Sequence, residues 1–299
     1  MSVTVLSDRM TGLIAPDAGV TTLGSGFQFT EGPVWSAERQ QLLFSDMPGD
    51  TRRSWDPEHG VREVRRPSNK CNGMAYDGTG GLVVCEHATS RVVREDADGG
   101  QTVLASHFRG KELHSPNDVV VARDGSIYFS DPRYGRMPGF GVERESELDF
   151  QGVYRVVPGD DVRLVVAEDE FDMPNGLCFS PDASRLYVND TPRGQVKVFE
   201  VDASGGLRAG RLFAESIGEG DPSTGVPDGM KCDRFGNVWV TGPGGVWVFG
   251  ADGAHLGIVE IPEPVGNFTW GGPDLRELYV CASTSLYRIP TKVAGVALP

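Results

Sequence analysis

Six times along this chain a polar residue opens a short apolar run, a tight turn and a second apolar run. The copies read EGPVWSAERQQLLFSD (31–46), NGMAYDGTGGLVVCE (72–86), NDVVVARDGSIYFSD (117–131), NGLCFSPDASRLYVND (175–190), DGMKCDRFGNVWVTG (228–242) and NFTWGGPDLRELYVC (267–281). Turns of the D-x-x-G and S-P-D kinds supply the positive-φ positions a hairpin needs, and the flanking alternation supplies its buried face. Each copy is therefore expected to be a β-hairpin.

The copies start at 31, 72, 117, 175, 228 and 267, so they are spaced by 41, 45, 58, 53 and 39 residues. Further strand-like runs lie between them (RVVRED, GVYRVV, QVKVFEV, GVWVFGADG), enough for four strands per repeat. A period of about 40 to 50 residues with four strands is the signature of a propeller blade. A Greek-key sandwich leaves the recurrence unexplained. The expected fold is all-β, a six-bladed β-propeller forming one domain over residues 1–299. GVTTLGSGF (19–27) is expected to pair with the last copy, because ring closure removes open sheet edges.

Composition narrows the function classes. The 40 glycines and 20 prolines are spread between apolar runs, as in a chain of many turns. With 28 basic against 42 acidic residues the formal charge is −14. No stretch gathers Lys or Arg into the stripe that releases counterions from phosphate, which argues against nucleic acid. No apolar run is long enough to span a bilayer, and MSVTVLSDRMTGLIAPDAG lacks the basic start and apolar core of a signal peptide. A soluble cytoplasmic protein, monomer or homodimer, is the expectation. Cys71, Cys85, Cys178, Cys232 and Cys281 form no C-x-x-C pair and are expected to be buried free thiols.

In a propeller the innermost strands line the axis, so equivalent residues form a ring. Here they are Glu31, Asn72, Asn117, Asn175, Asp228 and Asn267. Any one of them alone reads as a turn residue capping a strand. All six bear oxygen, and that points to a site. With no His or Cys among them the ring suits a hard cation: Ca²⁺ takes six to eight oxygens in flexible geometry, whereas Zn²⁺ favours His and Cys. Glu31 and Asp228 would neutralise one divalent ion. Calcium is the first expectation, with Mg²⁺, Mn²⁺ or Zn²⁺ as alternatives. Asp118, whose siblings are mostly Gly, is expected off the axis and bonded to backbone.

At these residues the sequence resembles the senescence marker protein, gluconolactonase and luciferin-regenerating enzyme family, most closely its bacterial gluconolactonase branch. The matching segments run in order through nearly the whole chain: FTEGPVW, CNGMAYD, VVCEHATSRVVR, GKELHSPNDVVVARDGSIYFSDPRYG, ELDFQGVYR, MPNGLCFSPD, YVNDT, VPDGMKCDRFGNVWVTGPGGVWVF and TSLYRI. The resemblance implies a six-bladed propeller with one catalytic divalent metal, hydrolysing lactones or, in related enzymes, other esters and organophosphates. Carried over by position, Glu31, Asn175 and Asp228 are metal ligands, Asn117 is a ligand or a substrate and water contact, and Asp228 resembles the family's proposed general base. Such a metal polarises a carbonyl and lowers the pKa of bound water.

Animal members carry an Arg where this chain has Ser115, so their substrate contacts do not transfer. Ser115, Asn72 and the pair Arg133 and Tyr134 are the substrate-contact candidates here. His87, in CEHATS, is a candidate proton shuttle or hydroxyl contact at the channel mouth, and His114 a weaker one. His59, His107 and His255 read as loop or surface residues. The stretch 133–152 lengthens the third spacing and is a candidate lid. Phe268 and Trp270 read as core, or as a pocket wall. The leading expectation is a metal-dependent lactonase acting on glucono-1,5-lactone. An organophosphate or other ester hydrolase on the same site is the first alternative, and a calcium-stabilised interaction scaffold the second.

Overall fold

A strand that is apolar on both faces needs cover on both, and radially stacked sheets supply it. The computed structural model describes residues 3–218 and 222–297 and arranges them as six antiparallel sheets, with one additional small hairpin at His107–Phe108 and Lys111–Glu112. Each expected hairpin forms the inner pair of strands of one blade. The innermost strands are Thr30–Ser36, Cys71–Tyr76, Val119–Val121, Pro174–Phe179, Met230–Cys232 and Val265–Gly271.

Closure follows the expectation: Thr21–Ser25 forms the outer strand of the sixth blade, with Thr21 opposite Arg288. A second tie was not expected. Val3–Val5 adds a fifth strand to the fifth blade, with Val3 opposite Val259. Val3–Val5 and Thr21–Ser25 thus tie one N-terminal segment to both of the last two blades.

The core is six apolar layers, one between each pair of neighbouring blades. In the first blade, Leu42 and Phe44 face Tyr279 and Leu286 of the sixth, while Leu43 turns to Met74 and Val84 of the second. Trp35 of the first blade stacks on Tyr279 of the sixth with ring centroids 5.2 Å apart, so an aromatic pair bridges the joint that closes the ring. Fully burying one such side chain is worth about 1.5–3 kcal/mol. Phe268 and Trp270 belong to the layer between blades five and six, the core role expected of them. All five cysteines are buried and free.

The same strands re-aim the ring residues. Ladder register slips between Glu31 and Val34, Cys71 and Met74, Pro174 and Leu177, and Val265 and Asn267. In the third and fifth blades the strand starts only after the ring residue, at Val119 and Met230. A residue at a bulge or before a strand is released from the pleat and points its side chain differently. The glycine that follows permits close approach. A Cβ on Gly32, whose φ is +53°, would stand 1.8 Å from the Asn72 carbonyl oxygen, and one on Gly176 would stand 2.0 Å from that of Asp228. The recurring X-Gly pair is how neighbouring blades touch at the axis.

Candidate active site

Hydrogen bonds determine which atom each of the ring amides Asn72, Asn175 and Asn267 presents. Thr191 Oγ1 donates its only hydrogen to the Pro227 carbonyl (2.6 Å), so it must accept from Asn175 Nδ2 (3.1 Å). That leaves Asn175 Oδ1 buried without a partner. Asn72 is set in the same way. The Phe140 carbonyl can only accept, so His87 Nδ1 donates to it (3.1 Å), His87 Nε2 accepts, and Asn72 Nδ2 donates (3.2 Å). Asn72 Oδ1 is likewise buried and unpartnered. Asn267 is turned the other way: its oxygen takes the Phe268 N–H (2.9 Å) and Lys231 Nζ (3.4 Å), while its nitrogen donates to Glu31 Oε2 (3.0 Å). Asn267 therefore offers its neighbour an N–H where an oxygen was expected.

Asp228 is held through its backbone, whose N–H donates to Thr241 Oγ1 (2.7 Å) and whose carbonyl accepts from Asn189 Nδ2. Asn117 is fixed similarly, its N–H on the Ser130 carbonyl (2.9 Å) and its carbonyl taking the Gly73 N–H (2.8 Å).

Charge is concentrated here. Desolvation raises Glu31 to about 7, with the Asp118 charge adding to it. Asp228 is partly exposed, yet its carboxyl is enclosed by protein; desolvation, then Glu31 and Asp118, push it well above the usual carboxylate range. Asp118 bonds its own backbone as expected, Oδ1 accepting from the Val119 N–H (2.9 Å), but its other oxygen faces Lys231 Nζ at 3.7 Å. Asp118 is thus part of the electrostatics of the ring. Beyond the ring, the same strands enclose a largely apolar cavity of about 390 Å³, walled by residues such as Trp35, Met74, Phe179 and Trp270, with Lys231 on its lining. Acids and unpartnered amides gather at the ring, which makes the ring, and not this larger space, the candidate site.

The other candidates divide. Tyr134 opens a short 3₁₀ turn, Tyr134–Arg136, and its phenol lies against Thr191, Asn175 and Asp228. Arg133 is exposed and lines a separate depression with Asp149, Phe171 and Asp172. Ser115 is fully buried; its hydroxyl donates to the Pro132 carbonyl (2.5 Å) and accepts the Gly135 N–H (2.8 Å), which makes it a brace for the turn that carries Tyr134 and leaves no hydrogen for substrate. His87 was expected at a channel mouth, but it is fully enclosed with both ring nitrogens engaged, and burial depresses it to about 4. His114 is tied to the Phe150 carbonyl (2.8 Å) and Ser146 Oγ (3.1 Å).

The stretch after Tyr134 forms a strap. Buried Arg136 bonds the His114 and Leu113 carbonyls and Glu112 (2.8, 2.6 and 2.7 Å), and Phe140 sets its ring edge-on to Phe29, centroids 5.9 Å apart. Residues not singled out from sequence are Lys231, Thr191 and Asn189. Lys231 carried a readable signal: its counterparts in the other copies are Val34, Ala75, Val120, Cys178 and Trp270, all apolar.

Fold and ring together define a β-propeller with an acid-and-amide ring at its innermost strands. The chain belongs to the SMP-30/gluconolactonase/LRE-like family, whose model matches residues 29–284. It is 31% identical to a gluconolactonase of Zymomonas mobilis over 98% of this chain and 87% of that one. It is 30% identical to a pentonolactonase of Haloferax volcanii over 84% of this chain and 80% of that one. A solved gluconolactonase from Xanthomonas campestris superposes with a TM-score of 0.86 at 33% identity, covering 97% of this chain and 95% of that one.

Proposed function

We propose that this chain is a metal-dependent lactonase that opens a sugar lactone at the axial ring, with glucono-1,5-lactone as substrate and gluconate as product. The observation that carries the reading is the unpartnered, buried Asn175 Oδ1 in a ring whose two carboxyls, Glu31 and Asp228, are raised first by burial and then by neighbouring carboxylates. Such a group of acceptors lacks a donor or a cation. Family membership and the lactonases among its relatives support the reaction class.

The donor set fits a hard divalent ion. Among the described residues no three His, Cys, Asp or Glu side chains cluster tightly enough to ligate an ion by themselves, so amide oxygens must complete the shell. That favours Ca²⁺ over Zn²⁺. Glu31, Asn117, Asn175 and Asp228 would hold it. When bound, the ion would polarise the lactone carbonyl and acidify a water. Asp228, the residue that resembles the family's proposed general base, would accept the proton of the attacking water. Tyr134 would meet the sugar hydroxyls from the strap side, and Asn72 would accept a hydroxyl through Oδ1. The braces at Thr191, His87 and Ser115 keep these groups in place.

The test is proton release from glucono-1,5-lactone and from an organophosphate ester, with and without chelator. Chelator-sensitive lactone turnover is expected. Turnover of the phosphoester alone would move the assignment to the alternative hydrolase, and turnover of neither would end the enzyme reading.

A further inference from the structure

Lys231 is the one charged residue at a position that is apolar in the five other copies. Its side chain is 22% exposed, with Nζ 3.0 Å from the Met230 carbonyl, 3.4 Å from Asn267 Oδ1 and 3.7 Å from Asp118 Oδ2. Two consequences follow. The ammonium offsets one of three carboxylates: with a cation bound and all three acids ionised, Glu31, Asp118 and Asp228 at −3 and Lys231 at +1 leave −2. It also joins the Phe268 N–H on the Asn267 oxygen, while Asn267 turns its own N–H toward Glu31.

We propose that Lys231 is a tethered cation that sets the axial site to divalent ions: it cancels Asp118 and leaves a residual charge that one 2+ ion neutralises. This rests on the metal-site reading above. Without the lysine, the same pocket would present −3, a charge matched to a trivalent lanthanide ion.

The experiment is calorimetric titration of the chelator-stripped full chain with Ca²⁺ and with Tb³⁺ at one pH and ionic strength, read as the ratio of the two dissociation constants. Between charges about 6–8 Å apart at an effective dielectric near 20, one additional unit of ligand charge is worth about a thirty- to hundredfold change in that ratio. Lys231→Met should shift the ratio toward Tb³⁺ by that factor, and adding Asp118→Asn should return it toward the wild-type value. Asp118→Asn alone, which keeps the lysine, should shift the ratio toward Ca²⁺; this variant carries the test if Lys231→Met does not fold. A ratio unchanged in Lys231→Met that still binds Ca²⁺, a double variant that does not revert, or an Asp118→Asn protein with the wild-type ratio would overturn the proposal. Wild-type protein that binds neither ion would instead overturn the metal site itself.

Discussion

His87 makes a sharp prediction because it is fully buried, with both nitrogens committed in the neutral form. Burial holds it at about 4, against 6.5 for the free side chain, and Lys70 and Arg144 add to the depression. The sign follows from proton counting. Below pH 6.5 the unfolded chain takes up a proton at this position and the folded chain does not, so stability falls with pH until about 4, where the folded state protonates too. Across pH 6.5 to 4.5 the loss is about 2 kcal/mol, the full slope of about 1.36 kcal/mol per pH unit applying only between the two pKa values. His87→Gln places an amide oxygen near the position of Nε2, where it still accepts from Asn72, and removes the titrating ring. Urea unfolding of both proteins at pH 7 and pH 4.5 isolates the effect, because every other titrating group is shared. The wild type should lose about 2 kcal/mol more than His87→Gln between the two conditions. Equal losses would refute the claim that His87 is a buried neutral brace.

Other perturbations probe different parts of the account. Replacing Asn72 by Leu, which removes the acceptor at the ring, should raise KM for a polyhydroxylated lactone by about three- to tenfold while leaving KM for an unsubstituted lactone unchanged, as steady-state kinetics on the two substrates would show. Gly176→Ala puts a Cβ against the Asp228 carbonyl and should cost about 1–3 kcal/mol in denaturant unfolding as well as turnover. Trp239→Ala, which empties the layer between blades five and six, should cost about 3–5 kcal/mol without changing KM in any molecules that remain folded.

What was legible in the sequence was what the repeat multiplies. One Asn-Asp pair before a strand is ambiguous, but six aligned copies located the hairpins, the blade spacing and the ring together. Closure by Thr21–Ser25 was legible because an open ring has one joint to fill, whereas Val3–Val5 is three residues with no pattern to distinguish them. Side-chain direction was not legible. Asn267 and Asn175 are the same residue type at the same repeat position, yet their amides are turned differently, by the Phe268 N–H, Lys231 and Glu31 on one side and by Thr191 on the other. The placement of His87 and Ser115 was hidden for a related reason: their decisive partners, the carbonyls of Phe140 and Pro132, are backbone atoms that any residue would supply. Lys231 could have been found by asking which copy breaks the apolar rule.

The most direct test of the central claim is to titrate Ca²⁺ back into chelator-stripped protein while following glucono-1,5-lactone hydrolysis. Activity should be absent at the start, return in proportion to bound ion and saturate at one ion per chain, and the Glu31→Gln protein should neither bind the ion nor recover. Full turnover in the stripped protein, or recovery by Glu31→Gln equal to wild type, would contradict a lactonase built on this axial ring.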